Sequence, residues 1–192
     1  WKDNWPVIGR VPQRGYCGTP YLSYRKPKSE SRLIVTPQES DSFNLSRLGR
    51  QWQWQANYNP SFGMPTSLGF FRLYTYKTND NFWNVPNLLL QKTPADRFTV
   101  TAKLTLISKA EGQLGGLIMM GIDYFSLVVK RVGDGFVLQQ MTCRNADKGG
   151  AVIVTPLAHL AKTGQDDNDY QFAIYEEVFL QMKVDGGIVR FA

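Results

Sequence analysis

Apolar and polar residues alternate with a period of two through much of this chain. The clearest case is 97–107, where Phe98, Val100, Ala102, Leu104 and Leu106 fall on one side and Arg97, Thr99, Thr101, Lys103 and Thr105 on the other. That spacing predicts a strand with one face in a core and one face in water. Residues 87–93, 113–121, 125–132, 135–143 and 151–157 supply further strand-length segments, separated by turn signals such as Gly133-Asp134-Gly135 and Lys148-Gly149-Gly150. Near the end, Val178, Leu180, Met182 and Val184 alternate with Phe179, Gln181 and Lys183. Asp185-Gly186-Gly187 then turns the chain into GIVRFA, which specifies a hairpin. Many short strands with no amphipathic helix predict an all-β fold built from antiparallel sheets.

Residues 41–76 show which architecture. Trp52 and Trp54 alternate with Gln51, Gln53 and Gln55, so indoles lie on one face of a strand and amides on the other. Two indoles on one sheet face are most simply buried against a second sheet about 10 Å away. A two-sheet β-sandwich follows, with Trp52, Trp54, Phe98, Val100, Leu104 and Leu106 in its core. Two segments break the rhythm. Residues 1–40 hold short Pro- and Gly-rich pieces without a sustained period, and form a connector. Residues 158–169, AHLAKTGQDDND, predict a turn of helix at 158–162 followed by a polar loop.

Composition adds bounds. At 192 residues the chain accommodates one domain of about 150 residues and a tail. Aromatics at 13% with 17 Gly and 10 Pro favour strands joined by turns. No apolar run reaches the roughly 18 residues a membrane helix needs, and no basic-then-apolar leader opens the chain. The formal charge is +6, yet only Arg25, Lys26, Lys28 and Arg32 cluster. A nucleic-acid footprint needs a concentrated stripe, so the surface is expected to be an ordinary solvated one. Cys17 and Cys143 stand far apart with no C-x-x-C and no neighbouring His; no metal site is expected, and unpaired thiols are favoured over a disulfide.

Candidate chemistry is sparse. His159 is the single histidine, with no Ser or Cys motif beside it, and no phosphate-cradling glycine motif is present. The glycines of GQLGG are expected to relieve crowding in a strand or to form a bulge. Asp123 and Asp134 sit at strand ends and are better explained as turn formers than as acids or bases. Asp166, Asp167 and Asp169 invite a structural calcium, but their spacing does not fit a calcium loop; no cofactor is implied. What remains is a binding surface. Phe70, Arg72, Tyr74 and Tyr76 share one face of a predicted strand, and Phe82 and Trp83 follow in the polar stretch KTNDNFWN. Exposed rings with a few polar groups suit the apolar C–H faces of sugars. The same rings equally suit a protein interface, and Trp83 stays open between core and surface.

One family carries these segments in this order. LGRQWQWQAN, preceded by SDSFN and followed by LGFFRLYT, resembles the opening of the concanavalin A-like domain at the C-terminus of many family 43 glycoside hydrolases. The likeness continues through NLLLQKTPADRFTVTAKL, GLIMMGIDYFSLVVK and QMTCRNADKGGA and so covers most of the chain. It implies a jelly-roll sandwich over 41–192. It further implies that 1–40, with Trp1, Trp5 and Pro6, close a five-bladed catalytic propeller that precedes this chain, and that more strands would follow Ala192. By the same resemblance the parent is a β-xylosidase or α-L-arabinofuranosidase, a glycosidase in carbohydrate metabolism whose carboxylates lie in the propeller. This chain would then be a non-catalytic accessory domain that packs on the propeller and shapes the substrate entrance. The alternatives are an independent carbohydrate-binding module for xylan- or arabinan-type saccharides, and a structural or oligomerisation sandwich. Neither nucleic acid nor membrane is an expected partner, and the implied compartment is periplasmic or secreted in a bacterium, although some xylosidases are cytoplasmic.

Overall fold

The computed structural model describes residues 9–10, 20–23, 38–77, 81–161, 164–166 and 169–192, with the backbone alone for 164–166 and 169–176. The chain forms two compact units, Trp1–Thr36 and Pro37–Ala192. In the first, the Arg10 guanidinium lies 5.9 Å from the centroid of the Tyr21 ring. Trp1, Trp5, Pro6, Cys17, Arg25, Lys26, Lys28 and Arg32 lie outside the described residues.

Among the described residues the second unit holds twelve strands: β1 (Gln53–Trp54), β2 (Gly63–Pro65), β3 (Phe71–Leu73), β4 (Leu89–Leu90), β5 (Arg97–Ser108), β6 (Leu114–Met119), β7 (Tyr124–Val132), β8 (Gly135–Cys143), β9 (Val152–Leu160), β10 (Gly164–Asp166), β11 (Asp169–Asp185) and β12 (Ile188–Phe191). Every pairing is antiparallel. One main sheet centres on β11, which pairs with β5 along one edge and with β10 and β12 along the other. The second main sheet runs β6-β7-β8-β9. Two small ladders, β1 with β4 and β2 with β3, complete the unit.

The predicted alternation of β5 is observed: Leu106 and Ser108 are buried, the other even positions are partly buried, and the odd positions are exposed. Leu180, Met182 and Val184 of β11 are buried beside it. The two sheets meet where Leu106 and Val178 pack with Val129, Phe136, Leu138 and Leu160. Strand β7, YFSLVVKRV, shows less alternation because it is covered on both faces. Its opposite face, with Tyr124 and Val128 and with Met141 and Cys143 of β8, lies under Phe82, Val85, Trp83 and Leu88. Cys143 is a free buried thiol.

Two glycine positions follow from sterics. Gly116 of β6 runs in register beside β7 without a bulge, and a Cβ there would meet the Leu127 carbonyl oxygen at 2.1 Å. Crowding relief is therefore its task. Gly186 and Gly187 have φ of 54° and 88°, the pair of left-handed residues that a tight hairpin turn requires between β11 and β12.

Within the segment expected to hold a turn of helix and a loop, the described residues 158–160, 164–166 and 169 are strand instead. Ala158–Leu160 pair with Leu138–Phe136 across a bulge that leaves Leu157 unmatched. Strand β8 offers backbone groups along its whole edge, and continuing that ladder outweighs the weak local helix preference of AHLAK. Beyond it β10 pairs back onto β11, with Asp166 opposite Asp169; Asp167 lies outside the described residues.

Candidate functional site

The exposed aromatic surface is built on a ring cluster formed by the Trp-containing segment. Trp54 pairs with Leu89 and presents its indole to Phe62 at 5.5 Å and Phe71 at 6.1 Å, centroid to centroid. Phe43 stacks on Trp52 at 5.5 Å and tilts against Phe71 at 5.8 Å. The φ of Phe43 is +55°, a left-handed conformation that costs a bulky L-residue about 1–2 kcal/mol. Two ring contacts and Asp41 hold it there. Asp41 accepts the Phe43 amide at 2.8 Å, the Trp52 indole N–H at 2.8 Å and the Gln51 side-chain amide at 3.1 Å. Trp52 and Trp54 thus sit half-buried inside an aromatic layer.

Phe71 points into this layer, so its neighbours along β3 point out. The Arg72 guanidinium lies 5.8 Å from the centroid of Phe70. Arg72 is the register partner of Met64 in β2, and the Tyr74 hydroxyl donates to the Met64 sulfur at 3.5 Å. Phe70 is 39% exposed and Tyr74 43%. Together Met64, Phe70, Arg72 and Tyr74 form one platform of apolar surface with a cation at its centre. Its segment is tied to the sandwich: Asn87 donates to the Tyr74 backbone carbonyl at 2.6 Å, and Gln113 donates to the side-chain hydroxyl of Thr75 at 2.8 Å. Gln113 Oε1 in turn accepts from the Ser108 hydroxyl and the Lys109 and Ala110 amides.

The other residues singled out in the sequence part company with this platform. The strand ends at Leu73, and Tyr76 turns edge-on to Phe62 at 6.2 Å. Phe82 is only 7% exposed and packs 5.3 Å from Tyr124, so it belongs to the core rather than to the surface stripe. Trp83 is half-buried against the same cluster. Both sit in the short turn Phe82–Asn84, whose Asn81 cap accepts the Trp83 amide at 2.9 Å. Met64 was not singled out; counting back from Phe70 across the Thr66–Gly69 turn would have placed it opposite Arg72.

Little bond-making chemistry is assembled near these rings. Asp123 accepts the Asn145 amide at 2.9 Å and closes a loop, and Asp134 lies exposed in the β7–β8 turn. His159 is exposed on β9. Among the described residues no three of His, Cys, Asp and Glu come together to hold a metal ion. The Tyr124 hydroxyl accepts the Phe82 amide at 3.3 Å, and burial pushes its pKa up to about 12. It is a structural hydroxyl, closed off from any cleft.

An antiparallel two-sheet sandwich defines the class. The model of the beta-xylosidase C-terminal concanavalin A-like domain matches residues 40–192, and the chain belongs to that family. It is the C-terminal domain type of family 43 glycoside hydrolases. A beta-xylosidase of Formosa agariphila is 26% identical over 143 residues, covering 63% of this chain and 24% of that protein. A non-reducing end alpha-L-arabinofuranosidase of Bacteroides ovatus is 27% identical over 171 residues, covering 85% of this chain and 30% of that protein. The chain therefore spans only 24% and 30% of the length of these two curated relatives. No solved structure matches at a comparable level.

Proposed function

We propose that this chain is the non-catalytic accessory domain of a family 43 enzyme degrading xylose- or arabinose-containing plant polysaccharides, and that its platform packs on the catalytic propeller and shapes the substrate entrance. One observation carries this reading: Met64, Phe70, Arg72 and Tyr74 form an exposed patch, yet the segment beneath it is tied to the sandwich by hydrogen bonds to the Tyr74 carbonyl and the Thr75 hydroxyl. A pre-ordered patch loses little entropy on docking, which is what a permanent interface requires. The family match and both named relatives, glycosidases several times longer than the aligned region, support the setting. In the parent enzyme, Phe70→Ser with Tyr74→Ser is expected to lower the melting midpoint of the catalytic domain and raise KM while the isolated sandwich stays folded. An unchanged midpoint and KM would remove the proposed interface.

A second reading draws on the same rings. Phe70 and Tyr74 leave enough ring surface open to stack on a pyranose. An independent module would bind xylan or arabinan oligosaccharides in the absence of the propeller and lose that binding in Tyr74→Ala.

A further inference from the structure

The outward face of β5, β11 and β12 carries a charge arrangement that folding alone does not explain. Phe179, Gln181 and Lys183 point outward from β11, with Lys103, Thr101 and Thr99 of β5 as their register partners. On the other edge of β11, Arg190 of β12 is the register partner of Lys183. Both cations are exposed on the same face. Like charges directly opposite each other weaken a ladder.

Elsewhere on this face the charges are matched. Arg97 pairs with Asp185 at 2.8 Å, and Lys103 pairs with Glu177. Among the described residues Lys183 and Arg190 have no ion-pair partner. A repulsive pair on an otherwise balanced surface is what a site for a negatively charged group looks like when only protein is present. A guanidinium fork beside an ammonium is well suited to a carboxylate.

The rest of the face says what bears that carboxylate. Phe179 is 61% exposed, with the Lys103 ammonium 5.9 Å from its centroid. Between the ring and the cations, Gln181 donates to the Thr101 hydroxyl at 3.2 Å, leaving its carbonyl oxygen and Thr99 for further hydrogen bonds. Phe179 and Lys183 are four residues apart along an extended strand, roughly 13 Å, the reach of a short oligosaccharide. Most of the remaining outward positions on β5 are neutral threonines, unlike the continuous basic stripe that a nucleic acid needs.

We propose that this face binds a uronic-acid-bearing glycan, with Phe179 under a pyranose ring, Gln181 and Thr101 on its hydroxyls, and Lys183 with Arg190 on the carboxylate. The proposal rests on the accessory-domain reading for the kind of ligand but uses a different surface from the Phe70–Tyr74 platform.

Calorimetry of the 192-residue chain with a glucuronic-acid-substituted xylo-oligosaccharide, and with the same oligosaccharide after carboxyl reduction, tests it. The acidic form is expected to bind about tenfold more tightly than the reduced form, and to weaken as salt rises from about 20 mM to about 300 mM. Lys183→Gln and Arg190→Gln should each remove most of the preference for the acidic form. Their melting midpoints should stay level or rise, since a like-charge opposition is relieved, which separates loss of binding from loss of fold. Phe179→Ala should weaken both forms. Equal affinity for the two forms, or no heat from either with folded protein, overturns the proposal. So does equally tight binding of duplex DNA or dextran sulfate that Phe179→Ala leaves unchanged. Failure here leaves the propeller interface standing, and failure of that interface leaves these heats as they are.

Discussion

Tyr124 has no exposed surface, and its hydroxyl is held by the Phe82 amide. Burial raises its pKa to about 12, against about 10 in an unfolded chain. The folded state therefore keeps a proton that the unfolded state releases first. Its contribution is fully present below about pH 10 and is lost as pH rises through about 12, on the order of 2 kcal/mol. Denaturant unfolding from pH 9 to 12 should show this loss in the wild type and a smaller one in Tyr124→Phe, with a base-line cost at pH 8 of about 1–3 kcal/mol for the orphaned amide. Parallel pH profiles for the two proteins would contradict the assignment. None of this was visible in the letters around it. Asp123 beside it was legible as a turn former, because a carboxylate at a strand end has a local partner to find; the burial of Tyr124 depends on Phe82, forty-two residues away. Phe43 is a similar case, since no periodicity encodes a φ of +55°.

Among the elements, those with one wet face were the most legible. The alternation in β5 and in the C-terminal half of β11 predicted the core side, because water and a facing sheet impose the period directly, while the register between the two strands could not be read from it. The Trp52–Trp54 pattern pointed to two indoles buried in the core against a second sheet; instead only Gln53–Trp54 joins a ladder, both indoles are half-buried, and rings from Phe43, Phe62 and Phe71 do most of the enclosing. Phe70, Arg72 and Tyr74 come together beside Met64, although only Arg72 lies within the strand Phe71–Leu73, while Tyr76, also exposed, sets its ring edge-on to Phe62. Phe82 and Trp83 were hidden by polar neighbours, of which Asn81 is a buried cap rather than a solvated loop residue. Gly116→Ala tests the sheet packing: its Cβ would have to displace backbone of β7, so a loss of about 2 kcal/mol or more is expected in denaturant titration. Leu180→Ala, in the heart of β11, should cost about 2–5 kcal/mol. A Gly116→Ala protein as stable as wild type would mean that β6 and β7 are not in the close register described.

At the scale of the whole molecule, we propose that a sandwich with a fixed aromatic patch serves as a docking element for a catalytic domain. Among the described residues Asp123 is engaged in a turn, and Asp185 and Glu177 are engaged in ion pairs. Purified chain is accordingly expected to release no nitrophenol from aryl xylosides or arabinosides; release that stops on substitution of one carboxylate would refute the non-catalytic reading. The most direct measurement is titration of the separately produced catalytic propeller of the parent enzyme into this chain by calorimetry. A one-to-one complex, weakened about tenfold to a hundredfold by Phe70→Ser with Tyr74→Ser, is the predicted result. Association that those substitutions leave unchanged, or no association between two folded partners, would contradict it.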